Sequence, residues 1–94
     1  MNGEKYDDNK LDYTLIPKDA LDEVVRVLMY GAEKYDRDNW YKVDNGRHRY
    51  DKAALRHLFA EADGEDLDES GYYHLAHAAA SCLFAIHFAL DEKR

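Results

Sequence analysis

Histidines and a run of carboxylates are the residues of this sequence best suited to chemistry. His74 and His77 are three residues apart, so they share one side of a predicted helix. His57 and Glu61 are four apart and share a face of the helix that precedes it. Imidazole and carboxylate groups together bind divalent cations, which predicts a metal site here. The alternative is that these histidines are structural, each satisfied by a backbone or carboxylate partner inside a helical core.

The carboxylates are concentrated between residues 61 and 69, which hold six acidic residues and no basic one, out of a net charge of -7 for the chain. Asp66, Asp68, Ser70 and Gly71 match the opening of a calcium-binding loop. The match ends at its twelfth position, where His77 stands in place of the required glutamate. A third interpretation is a solvated loop in which Asp68 or Ser70 caps the next helix. The metal site, the calcium-binding loop and the solvated loop all remain open from the residues alone.

Cationic and aromatic side chains precede the acidic run. Each cation alone predicts a surface ion pair, but as a set they can hold the outer phosphates of a nucleotide. The cations are Lys34, Arg47, Arg49, Lys52 and Arg56. Tyr35, Trp40 and Tyr41 offer rings on which a base can stack, although aromatic residues at helix ends more often only pack.

Composition limits the class of protein. The 94 residues predict one domain spanning 1–94, and the acidic balance disfavours a nucleic-acid partner, whose phosphates require Lys and Arg. Cys82 is the only cysteine, which excludes an intramolecular disulfide, and we expect it in the core. The sequence begins without an apolar leader, and its longest apolar run is too short to span a membrane. These features predict a cytoplasmic protein without a membrane partner.

Apolar periodicity predicts three helices, and therefore an all-α fold. Helix one covers 18–35 after Pro17, a long loop covers 36–49, helix two covers about 50–62 with Gly64 as its cap, and helix three covers about 70–90. The predicted buried positions are Ala54, Leu55, Leu58, Phe59 and Ala62 on helix two, and Leu75, Ala79, Cys82 and Ile86 on helix three. Helix three is apolar nearly all round, which predicts that a second copy completes the bundle as a homodimer or homotetramer.

Several short segments occur in the same order as in a known family. They are residues 5–7, 15–17, 30–35, 39–40, 55–58, 64–71 and 74–78. Over about residues 5–90 the sequence resembles phage dATP/dGTP diphosphohydrolases, the MazZ-like branch of the all-α MazG nucleotide pyrophosphohydrolases. The resemblance implies hydrolysis of purine deoxynucleoside triphosphates, dGTP and also dATP, to the monophosphate and pyrophosphate, with Mg2+ or Mn2+, in phage nucleotide metabolism. The competing hypothesis is a non-enzymatic acidic helical binding module with a degenerate calcium loop.

The resemblance also suggests roles for single residues. MazG relatives hold their metals with E-x-x-E and E-x-x-D pairs, and this sequence places His57 with Glu61, and His74 with His77, on the corresponding helices. We expect Glu61 and His57 to be catalytic. The expected metal ligands are Glu61, Asp66, Asp68, Glu69, His74 and His77. The expected substrate-binding residues are Lys34, Tyr35, Asn39, Trp40 and Arg56.

Overall fold

A computed structural model describes residues 3–4 and 9–94 of the chain. Its helices are α1 (Lys18–Lys34), α2 (Gly46–Ala62) and α3 (His74–Asp91), with short 3-10 helices η1 (Tyr13–Leu15) and η2 (Asn39–Lys42). Within the described residues there is no strand, and Leu67 and Tyr73 form an isolated antiparallel bridge. The all-α prediction is confirmed. Segment 5–7, which contributed to the family resemblance, lies outside the described residues.

Helix α2 begins four residues before its predicted start. Asn45 adopts a left-handed backbone (φ 54°, ψ 38°) that turns the chain into the helix. Gly46 follows, and a Cβ atom there would lie 2.6 Å from the Phe88 ring, so a side chain at this position would have to displace the end of that ring. At the other end the predicted cap is confirmed. Gly64 (φ 101°) donates to the Glu61 carbonyl at 2.9 Å, and the next N–H donates to the carbonyl of Ala60 at 3.1 Å.

Helix α3 begins at His74 and not near Ser70, because residues 66–73 fold into a compact turn. The Asp68 N–H donates to the Tyr72 carbonyl and the His74 N–H donates to the Asp66 carbonyl, both at 2.8 Å. Tyr73 is the N-cap and makes no side-chain capping bond, so the prediction that Asp68 or Ser70 caps this helix is wrong. The Asp68 carboxylate instead accepts the Ser70 N–H at 3.0 Å.

The core is built from small residues. Helix α3 packs against α2 and α1 through buried alanines at positions 76, 78, 80 and 85, and Val27 of α1 joins Ala76 and Ala80 in one cluster. Because alanine is small, the three helices approach closely without burying large side chains. No large side chain is fully buried in the part of the chain that the structure describes.

The apolar faces expected to form the core are largely exposed. Ala54 is buried as predicted, but Phe59, Leu75 and Ile86 are 68%, 51% and 55% exposed, and Cys82 is exposed as well. The same correction applies to Leu55 and Leu58 of α2, which are also exposed. A helix that is apolar nearly all round has no unique buried face in its periodicity, and the alanine side permits the closest packing.

The predicted loop 36–49 is ordered by contacts with α3. Trp40 of η2 stacks on Phe84, with ring centroids 4.6 Å apart and planes 11° apart. The Tyr50 hydroxyl donates to the Trp40 carbonyl at 3.3 Å, and the Tyr41 hydroxyl donates to Asp91 at 3.2 Å. This segment is therefore docked against α3. None of the helices in the described ranges is both long and apolar enough to cross a membrane.

Candidate active site

The short turn between α2 and α3 makes these helices antiparallel and brings three histidines together. His57 of α2 faces His74 of α3, with their Nδ1 atoms 2.8 Å apart. His77, one turn further along α3, stacks on the His57 ring at a centroid distance of 4.6 Å. His74 is buried, at 7% exposure, and the other two are partly buried. Helical spacing on two facing helices therefore produces the cluster that the sequence predicted.

Asp68 supplies the carboxylate of this cluster from the turn between the helices. Its Oδ1 lies 3.9 Å from the Nδ1 atoms of both His57 and His74, and its Oδ2 lies 3.5 Å from Nε2 of His77. The Ser70 N–H holds Oδ2, which leaves Oδ1 directed at the first two imidazoles. We call His57, Asp68 and His74 the His–Asp centre.

Burial and neighbouring charges shift these groups in a consistent direction. Burial lowers the pKa of His57, with a further contribution from His77, and burial also lowers the pKa of His77. Burial alone would raise the pKa of Asp68, but its hydrogen bonds from Ser70 and the nearby imidazoles outweigh this and lower the pKa. These directions favour neutral His57 and His77 beside an ionised Asp68, and neutral imidazole and ionised carboxylate are the forms that bind metals.

The His–Asp centre fits a divalent cation. It is the group of three convergent metal-type ligands found among the described residues. Its three ligand atoms lie within 4.8 Å of one another, and two imidazoles with one carboxylate form a donor set that would hold such an ion. The Glu65 carboxylate lies 3.6 Å from Nε2 of His74, a position that favours the proton on Nε2 and a free lone pair on Nδ1.

A cleft extends from this centre. Its inner half, of about 420 Å³, is bounded by His57, Asp68, His77 and Lys34. Its outer half, of about 570 Å³, is bounded by η2 and the start of α2. Tyr35, Tyr50 and Arg56 are among the residues that line both halves, so the two halves adjoin and share a wall. Such volumes are typical of sites for small organic ligands.

All of the predicted substrate-binding residues border this cleft. Lys34 belongs to the inner half, Asn39 and Trp40 to the outer half, and Tyr35 and Arg56 to both. The Lys34 ammonium lies 5.1 Å from the centroid of the Tyr35 ring. Cationic and aromatic groups thus line two adjoining cavities, the inner of which also contains the Asp68 carboxylate.

Of the predicted metal ligands, some lie in the His–Asp centre, some line the cleft and some belong to neither. Asp68 and His74 are in the His–Asp centre together with His57, which we had predicted to be catalytic. His77 and Glu69 line the inner half of the cleft. Among the described residues, Glu61 and Asp66 belong neither to the centre nor to the cleft walls; Glu61 is partly buried on α2 and Asp66 is exposed. The roles of all of these residues remain predictions.

Sequence reasoning missed two supporting residues. The Ser70 hydroxyl is 2.9 Å from Nε2 of His77, whereas the sequence predicted Ser70 as a position of a calcium-binding loop or as a helix cap. Tyr30 of α1 directs its ring edge at His77 and at Tyr72, with centroid distances of 6.5 Å and 5.5 Å. The Asp68-x-Ser70 spacing, typical of a side chain that accepts a backbone N–H two residues on, was the available signal.

The fold and the site define an all-α protein with a histidine–aspartate centre at the end of a ligand-sized cleft. Residues 1–94 match the family described as dATP/dGTP diphosphohydrolase, N-terminal, and the chain belongs to this family. A dATP/dGTP diphosphohydrolase of Salmonella phage PMBT28 is 38% identical over 87 residues. The alignment covers 89% of this chain but 29% of the relative, so the chain spans less than a third of that protein. No solved structure matches the chain significantly.

Proposed function

We propose that this chain binds dATP and dGTP in the cleft and hydrolyses them to the monophosphate and pyrophosphate. The observation that carries the proposal is that two adjoining cavities place Lys34 and Arg56 beside His57 and Asp68 of the His–Asp centre, with Tyr35 and Trp40 on the far side. Family membership supports it, as does the name of the phage relative. The source of that relative also supports a role in phage nucleotide metabolism.

The cleft suits a nucleotide lying along its length. Lys34 and Arg56 can neutralise the outer phosphates, which carry much of the charge of the triphosphate. Tyr35 is 65% exposed and therefore has a free ring face for the base. One face of Trp40 is covered by Phe84, so Trp40 contributes a wall of the base site more than a stacking surface.

A divalent cation, Mg2+ or Mn2+ by the resemblance, would be held by His57, Asp68 and His74. When bound, such an ion polarises phosphate oxygens and lowers the pKa of a coordinated water. Water attack on the α-phosphorus breaks the bond to the bridging oxygen, and pyrophosphate leaves with that oxygen. The attacking water must also lose a proton. His77 lines the cleft without belonging to the His–Asp centre and is a candidate proton acceptor, beside the predicted Glu61.

The proposal is tested by incubating the purified chain with dGTP or dATP in the presence of Mn2+ or Mg2+. Separation of the products by anion exchange should show monophosphate and pyrophosphate in equal amounts. Release of nucleoside and triphosphate would contradict the proposed bond cleavage. If no nucleotide is consumed with any metal ion, the chain is instead the non-enzymatic binding module.

A further inference from the structure

We infer that the His–Asp centre takes a later first-row transition ion, of the class of Co2+ and Zn2+, in preference to Mg2+. The inference deepens the proposed function by naming the ion, but the binding can be tested without nucleotide or turnover. It rests on which atoms converge between α2 and α3, and on which of the nearby carboxylates do not.

Two of the three convergent donors are imidazole nitrogens. Mg2+ prefers oxygen ligands and retains several waters, whereas imidazole suits the later first-row ions. The acidic run supplies the centre with a single carboxylate, that of Asp68. The other carboxylates of the turn, on Glu65, Asp66 and Glu69, belong to exposed residues. The protein therefore offers two nitrogen ligands and one oxygen ligand, a set that favours a later first-row ion over Mg2+.

The surroundings of the donors also suit a transition ion. Burial of His74 keeps bulk water away from one donor, and the Ser70 N–H fixes the orientation of the Asp68 carboxylate. Glu65 lies on the far side of the His74 ring, 3.6 Å from Nε2. A carboxylate behind a ligating imidazole is a recurrent outer-shell arrangement in transition-metal sites, since it orients the ring and raises its basicity.

The first test is a titration of the intact chain with Co2+ in the absence of nucleotide, followed by visible absorption. We expect one Co2+ per chain, with a ligand-field spectrum that a roughly thousandfold excess of Mg2+ does not abolish. Displacement of Co2+ by a comparable concentration of Mg2+ would overturn the inference. Hydrolysis supported by Mg2+ in a chain that fails to bind Co2+ would also overturn it, while leaving the proposed function intact.

Variants then locate the site. His57→Gln and His74→Asn should each weaken Co2+ binding by about tenfold to a hundredfold or more. The matched control is His48→Gln, because His48 is exposed near the start of α2 and lies outside the centre. Unchanged binding in both test variants would refute the assignment.

If these variants fail to fold, a spectroscopic measurement on the wild-type chain tests the inference instead. Pulsed electron paramagnetic resonance of Mn2+ bound to the wild-type chain should show coupling to imidazole nitrogen. A spectrum with oxygen ligands alone would refute the inference. Metal binding with nitrogen coupling but without hydrolysis would support the inference and reject the proposed function, so the two can fail separately.

Discussion

Asp68 is the residue that connects the parts of the candidate site. One of its oxygens faces His57 and His74, and the other faces His77 and the Ser70 N–H. A single carboxylate among three imidazoles affects their protonation, their orientation and their ability to hold a cation. The first prediction at the scale of residues therefore concerns Asp68.

Asp68→Asn should reduce dGTP hydrolysis by about a hundredfold or more, because it removes a positioned charge and keeps the shape of the side chain. The neutral amide can still accept the Ser70 N–H, so the fold should persist. Initial rates of pyrophosphate release measure the effect. Asp63→Asn is the matched control, since Asp63 is exposed in the same acidic run and lies outside the centre and the cleft walls. Equal rates in the two variants would contradict the role given to Asp68.

The histidines predict a dependence of stability on pH. Burial lowers the pKa of His57 and His77 in the folded chain, so below about 6.5 the unfolded chain binds more protons than the folded one. The contribution of these imidazoles to the free energy of unfolding should therefore decrease as the pH falls through about 6.5, and level off below their folded pKa. The lowered pKa of Asp68 adds a further loss in more acidic solution, below its unfolded value of 3.8.

Urea denaturation between about pH 7.5 and pH 5.5 measures this dependence. We expect the free energy of unfolding of the wild-type chain to fall with acidification more steeply than that of a His57→Gln/His77→Gln double variant. His48→Gln serves as the control and should follow the wild type, because it leaves the buried imidazoles in place. A double variant with the same slope as the wild type would contradict the argument.

At the scale of elements, α1 provides one wall of the cleft, and Gly31 is the part of that wall without a side chain. Gly31 borders both halves of the cleft, and a Cβ atom placed there meets nothing within 4 Å. Glycine inside a helix costs about 1 kcal/mol relative to alanine. The open space beside α1 is therefore gained at a cost in helix stability, which suggests that the space serves a ligand.

Two substitutions at this position separate folding from binding. Gly31→Ala should raise the free energy of unfolding by up to about 1 kcal/mol. Gly31→Leu should fill the cleft and weaken dGTP binding by about tenfold or more, an effect of the size expected from blocked contact area. Thermal denaturation and calorimetric titration measure the two effects. Met29→Leu, at an exposed position of the same helix, is the control, and dGTP binding to Gly31→Leu at wild-type affinity would refute the placement of the ligand.

At the scale of the whole molecule, the chain is more extended than a compact domain of its length. Its radius of gyration is 16.4 Å, whereas about 12 Å is usual for this number of residues. Large apolar side chains such as Phe59, Leu75 and Ile86 are more than half exposed. In the predicted homodimer or homotetramer, a second copy would cover the apolar faces of α2 and α3.

Light scattering coupled to size-exclusion chromatography tests this prediction. We expect a mass of at least about twice the 11.0 kDa of one chain at micromolar concentration. Ile86→Lys should shift the population toward the monomer, because it places a charge on the exposed apolar face of α3. Asp63→Lys changes the charge of a surface that is already polar, so it should not shift the population toward the monomer. A monodisperse monomer of the wild-type chain would contradict the prediction.

The local pattern of the sequence was enough to predict the three helices and the proximity of the histidines on α2 and α3. Helical periodicity is a property of neighbouring residues, so it predicts α1 nearly to the residue, and it places His57 and the pair of His74 and His77 on consecutive helices. The cap at Gly64 follows from glycine's access to positive φ. The family resemblance and the predicted substrate-binding residues likewise required no tertiary information.

Only the tertiary structure decided which faces of the helices are buried and which carboxylate joins the histidines. Apolar residues occur on nearly every side of α3, so periodicity cannot predict which face is buried. In the structure the alanine face is buried, because small side chains permit the closest packing. A turn has no helical period, so periodicity does not predict whether Asp66 or Asp68 faces the histidines. The Asp68 carboxylate accepts the Ser70 N–H, the Tyr72 carbonyl accepts the Asp68 N–H, and the Asp66 carbonyl accepts the His74 N–H. These bonds fold the turn so that the Asp68 carboxylate faces the imidazoles and the Asp66 side chain stays exposed.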